Sequence, residues 1–115
     1  MQAPVIYHNP NCSKSRKTLE LLRARGFDPQ IIEYLRTPPS TDDIARLLKL
    51  LGLTAKSLLR TGEDSYTQLG LDQVHDETAL IQAMHDHPEL IERPIVVVGN
   101  LARIGRPPEA VLDIL

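Results

Sequence analysis

The chain has 115 residues, enough for one domain with its own core and too few for two. It is 42% hydrophobic, 24% charged and only 3% aromatic, with a formal net charge of -2, which leaves neither a basic face nor stacking platforms for nucleic acid or an anionic membrane surface. A single cysteine excludes an internal disulfide and fits a reducing compartment. The start M-Q-A-P-V-I-Y-H has no basic or apolar leader pattern, and no apolar run reaches the roughly eighteen residues of a membrane span, so a cytoplasmic protein is expected.

Pro4 to Tyr7 reads as a short buried strand. From Ser13 the pattern turns helical, with Leu19, Leu21 and Leu22 apolar among charged neighbours and Gly26 as the stop signal. Gln30 to Tyr34 reads as a second strand, and a strand pair joined through a helix favours a parallel, right-handed connection. T-P-P-S at 37–40 breaks the pattern, and Ser40 can cap a new helix with Asp43 standing where a capping box usually has Glu. Ile44, Leu47, Leu48 and Leu51 then mark one apolar helix face, closed by Gly52.

Shorter helical pieces are predicted at Ala55–Arg60, around Tyr66 and over Glu77–Met84, where Leu80, Ile81 and Met84 align. His87-Pro88 marks a boundary. Arg93-Pro94-Ile95-Val96-Val97-Val98 is the clearest strand, and Gly99-Asn100 is a hairpin turn returning it through Leu101–Ile104. Arg106-Pro107-Pro108-Glu109 opens a last helix with Val111, Leu112 and Leu115 on one side. The order predicts an α/β fold over 1–115, βαβ then ββα, with a four-stranded mixed sheet and a helical insertion at about 40–92.

Chemistry concentrates in H-N-P-N-C-S-K-S-R, residues 8–16. A lone cysteine is ordinarily a small buried hydrophobe. Cys12 instead lies in a polar turn at a predicted strand-to-helix junction, the sheet edge where open α/β folds bind ligands. Helix N–H groups, with Lys14, Arg16 and His8 nearby, are conditions that lower a thiol from about 8.5 into a range of roughly 3.5–7.5. The same N–H groups can cradle an oxyanion. Cys12 is therefore read as a nucleophile.

That loop, after its V-I-Y strand, resembles the active-site loop of the glutaredoxin-dependent arsenate reductases. The likeness continues through I-I-E-Y-L-R-T-P-P-S, S-L-L-R, I-E-R-P-I-V-V-V and R-I-G-R-P-P-E-A-V-L-D-I-L, in order and along essentially the whole chain. The chain stops there, where better-known members continue with a C-terminal extension, so it is similar to a short form.

The resemblance implies a thioredoxin-like fold in which Cys12 attacks arsenate. It implies that Arg60, Arg93 and Arg106 hold the oxyanion, and that His8 and Ser15 favour the thiolate. It also implies a cis-proline at Pro94 facing the cysteine. Guanidinium forks suit the task independently, because they offset the repulsion between an arsenate anion and a thiolate. With serine at position 15 there is no C-x-x-C, so the reducing thiol must come from another molecule. In the family that is glutathione as co-substrate, with glutaredoxin as partner; no bound cofactor, nucleic acid or membrane is implied, and a monomer is expected.

No metal site is expected, since His75-Asp76 and His85-Asp86-His87 lack helical ligand spacing. Two other functions stay open: a thiol-transferase of the same fold with a different substrate, and a regulatory relative that binds RNA polymerase. The regulators commonly carry the C-x-x-C switch that Ser15 interrupts.

Overall fold

The computed structural model describes residues 3–115. The chain forms two compact units: one runs up to Thr37 and resumes over Arg93–Leu115, and the other is Pro38–Glu92.

The first unit is built on a four-stranded sheet of β1 (Val5–Tyr7), β2 (Gln30–Ile32), β3 (Ile95–Val98) and β4 (Leu101–Ile104), in the order β2-β1-β3-β4. β1 and β2 run parallel, with Ile6 opposite Ile31. β3 is antiparallel to both β1 and β4, with Ile6 opposite Val96 and Val98 opposite Leu101. Of the two turn residues only Gly99 has positive φ, at 59°, the arrangement of a type II′ hairpin with glycine at its first central position.

Helix α1 (Ser13–Ala24) makes the crossover from β1 to β2. It ends in a Schellman motif: Phe27 N–H donates to Leu22 O and Gly26 N–H to Arg23 O, with Gly26 at φ 85° where a side chain would be strained. Its Leu19 and Leu22 join Ile6, Val96, Val111 and Ile114 in one core cluster. Burying a side chain of this size stabilises by about 1.5–3 kcal/mol.

Pro108–Ile114, expected to be an α-helix, is a 3₁₀ helix. At three residues per turn Val111 and Ile114 share a face and are buried, whereas Leu115, aligned with Val111 on an α-helical count, is exposed. Strand order and connections make this a thioredoxin-like α/β fold.

The second unit holds helices α2 (Thr41–Leu51), α3 (Ala55–Leu58), α4 (Asp64–Gln68) and α5 (Glu77–Asp86). The capping box at the start of α2 is complete: Asp43 N–H donates to Ser40 Oγ at 3.0 Å and Ser40 N–H to Asp43 Oδ2 at 3.3 Å. Asp is therefore long enough to close the box from this position. Ile44, Leu47 and Leu48 of α2 are buried, as are Ala55 and Leu58 of α3 and Leu80 and Met84 of α5. An isolated antiparallel bridge, Leu59 to Ile91, joins the end of α3 to the segment where the chain leaves the unit. No helix among the described residues is long and apolar enough to cross a membrane.

Candidate active site

The loop between β1 and α1 is tied at almost every residue. His8 N–H donates to Ile32 O at 2.8 Å, extending the β1–β2 ladder by one bond. Asn9 closes the turn from both ends: its Oδ1 accepts from Asn11 N–H at 3.0 Å, and its carbonyl accepts from Cys12 N–H, also at 3.0 Å. Asx turns of this kind let a short polar side chain stand in for backbone. The first helical bond, Arg16 N–H to Cys12 O at 3.0 Å, then makes Cys12 the N-cap of α1.

Ser15 is fully buried and points into this loop. Its Oγ accepts from Asn9 N–H at 3.1 Å and lies 2.6 Å from Nδ1 of the buried His8. The hydroxyl thus locks the loop against the first turn of the helix.

The Cys12 thiol is half-buried, and its Sγ makes no capping hydrogen bond of ordinary geometry. Burial pushes the thiol up, but the Ser15 amide, the hydrogen bond and charge of the Arg93 guanidinium, and the Lys14 amide together outweigh it. The net position is below the ordinary thiol value. Two of those three groups are the N–H donors of the helix start, which is the partial positive charge that favours an anion at an N-cap.

The sources of that field differ from the expected ones. The Lys14 and Arg16 side chains are exposed, where solvent screens them, and Arg16 is turned back to donate to Pro10 O at 2.9 Å. His8 does not supply charge at neutral pH: burial lowers its pKa, Glu33 opposes this, and Arg23 and Arg16 lower it further. Its contribution is the contact with Ser15.

Arg93 and Arg106 come together. Arg106 Nε–H donates to Arg93 O at 2.8 Å, and the Arg93 side chain reaches the Cys12 thiol. Pro94 follows Arg93 through a cis peptide bond, and Arg106–Pro107 is cis as well. Arg60 belongs to the helical unit, where its Nη1 lies 2.7 Å from Glu92 and its Nε 3.3 Å from Glu63.

The remaining histidines have local partners: His85 Nδ1 bonds Pro39 O at 2.8 Å, His75 lies 3.3 Å from Lys56, and His87 lies 3.7 Å from Glu89. Among the described residues no three His, Cys, Asp or Glu side chains converge as a metal site.

Asn9 is the residue of this loop that sequence reasoning passed over. The signal was present, since Asn-Pro-Asn immediately before a helix start is a turn sequence with a capping mechanism.

The model of the ArsC family matches residues 7–114. This chain belongs to the ArsC family. It is 54% identical over 112 residues to the uncharacterized protein YfgD of Escherichia coli K12, covering 96% of this chain and 94% of that one. It is 47% identical over 111 residues to an arsenate reductase of Yersinia enterocolitica, covering 96% of this chain and 79% of the relative. Among solved structures, the arsenate reductase from Vibrio cholerae superposes with a TM-score of 0.96 at 51% identity, covering 99% of this chain and 98% of that one.

Proposed function

We propose that this protein reduces arsenate to arsenite with Cys12 as the sole protein nucleophile and with glutathione and glutaredoxin as external thiols. The observation that carries the reading is the thiol at the N-cap of α1 with the Arg93 guanidinium on it, held below its ordinary pKa. The similarity to the arsenate reductases of Yersinia enterocolitica and Vibrio cholerae supports the substrate.

The steps balance. The Cys12 thiolate attacks arsenic and one arsenate oxygen leaves as water, giving Cys12–S–As(V). A glutathione thiol condenses on the same arsenic with loss of a second water. The glutaredoxin thiol then attacks the glutathione sulfur; the As–S bond breaks, its electron pair stays on arsenic, and glutaredoxin carries away a mixed disulfide. Water hydrolyses the remaining Cys12–S–As(III) bond, releasing arsenite and restoring the thiol.

Arg93 and Arg106 have separate parts in this scheme. Arg93 favours the thiolate before attack and neutralises arsenate charge during it. Arg106 anchors the Arg93 peptide through Nε, and its guanidinium charge offsets that of the oxyanion. Arg60 is the third arginine that the family pattern assigns to the oxyanion, and its guanidinium is paired with Glu63 and Glu92 within the helical unit. His8, Ser15 and Pro94 support the loop and its facing strand.

The test is arsenate-dependent NADPH oxidation in the presence of glutathione, glutaredoxin and glutathione reductase, with Cys12→Ser as control. Wild-type turnover, its loss without either thiol, and a folded but inactive Cys12→Ser are expected. Turnover by Cys12→Ser, or full turnover with neither thiol, would overturn the route.

A further inference from the structure

Gly105 lies outside the cysteine loop, yet it stands where two parts of the thiol's surroundings meet. Its φ is not in the left-handed region, so conformation does not demand glycine there. Space does. A Cβ at this position would lie 2.6 Å from Thr18 Oγ1, 2.8 Å from Pro94 Cγ and 3.2 Å from Thr18 Cγ2. Both neighbours are stiff: Thr18 is β-branched within a helix, and the Pro94 ring is fixed to its own backbone.

Each neighbour leads to one source of positive potential at Cys12. Thr18 is fully buried, and its hydroxyl donates to Lys14 O at 2.8 Å, one turn back. That places the contact directly under the turn whose Lys14 and Ser15 amides face the thiol. On the other side Gly105 N–H donates to Pro94 O at 2.9 Å, and Pro94 follows Arg93, whose side chain reaches the sulfur.

We propose that Gly105 is a positioning residue for the nucleophile: by presenting no side chain it lets the Pro94 ring and Thr18 close onto one backbone position, which sets the spacing between the N-terminus of α1 and Arg93. The inference rests on Cys12 being the nucleophile, as in the function proposed above, and is independent of which substrate it attacks. A Cβ would act as a wedge. It would push the first turn of α1 away from the Arg93-Pro94 segment, and the attraction between guanidinium and thiolate falls as they separate.

The experiment is the pH dependence of Cys12 alkylation by iodoacetamide, without arsenate, in wild type, Thr18→Ala, Gly105→Ala and the double variant. Adding Gly105→Ala should move the midpoint upward in both backgrounds, and less in Thr18→Ala, where only the Pro94 contact remains. At pH 6.5 this reads as a several-fold slower alkylation, with the high-pH plateau rate unchanged. A merely structural role would lower the melting temperature and leave the midpoint in place. If Gly105→Ala does not fold, the comparison of Thr18→Ala with the double variant decides. Unshifted midpoints in the folded pairs would overturn the proposal. Because no arsenate is used, failure here is distinct from failure of the arsenate reading.

Discussion

Arg106 donates its Nε–H to the backbone carbonyl of Arg93 at 2.8 Å, so the side chain of one arginine fixes the peptide of the other. The bond spans 13 residues of sequence and joins the segment just before β3 to the segment that follows β4. It ties the Arg106 guanidinium to the backbone that carries the Arg93 side chain, and substitutions at the two positions should not be independent.

Lysine at either position keeps the charge and loses the fork. Arg106→Lys also removes the Nε donor to Arg93 O. A charge-assisted hydrogen bond is worth about 1.5–3 kcal/mol, so each change should lower kcat/KM for arsenate by roughly 10- to 150-fold. In the double variant the loss should be smaller than the product of the two, as expected of neighbours that share a partner. Near wild-type kinetics in both single variants would remove them from the site.

The Cys12 thiol should titrate below the ordinary thiol value, and Arg93→Lys should move it upward. Arsenate bound beside the sulfur should raise it too, as a like charge. The linkage has a definite sign. Because the folded-state pKa is depressed, the thiolate adds stability that is full above the unfolded value and is lost as pH falls through the folded one. Wild type should therefore gain stability over Cys12→Ser as pH rises across that window. Urea unfolding of both proteins at several pH values is the measurement, and parallel curves would contradict it.

His8 should give an acid limb of its own. Its folded-state pKa lies below 6.5, so the neutral ring is the form the fold prefers. The associated stability is complete above 6.5 and is lost as pH falls through the lower folded value. His8→Asn should remove that part of the slope between pH 7.5 and pH 5. Identical pH slopes would show that the buried ring is not the group responsible.

Ser40→Ala should destabilise by about 1 kcal/mol, within a range of roughly 0.5–2, by opening the capping box at the start of α2. Ser40→Thr should retain most of it. Chemical denaturation followed by helix signal separates the two.

Features set by neighbours in sequence were legible, and features set by chain return were not. The Ser40 cap, the Gly26 stop and the Gly99-Asn100 turn depend on a few consecutive residues, and each is where its local chemistry puts it. The position of Cys12 at a helix start belongs to the same class. The source of its activation does not. Lys14 and Arg16 look adjacent in a linear reading, but helix geometry turns their side chains to solvent, and Arg93, 81 positions away, meets the sulfur instead. The final helix was misread for a related reason. Val111 and Leu115 fit an α-helical period, while Pro107 and Pro108 start a 3₁₀ turn in which Ile114 takes the inward place. The carboxylates around Arg60 are likewise divided: Glu63 is a helical neighbour, but Glu92 arrives only when the chain comes back.

The buried hydroxyl at position 15 limits what can replace it. Ser15 sits at the third position of α1, one turn from the cysteine, where a thiol would convert the loop into a self-resolving redox pair. The same atom ties Asn9 and His8 to the helix. A sulfhydryl is a poor substitute in that anchor, being a weak donor and acceptor with a longer bond. A Ser15→Cys change would thus place a second thiol one turn from Cys12 at the expense of the anchor that orders the loop.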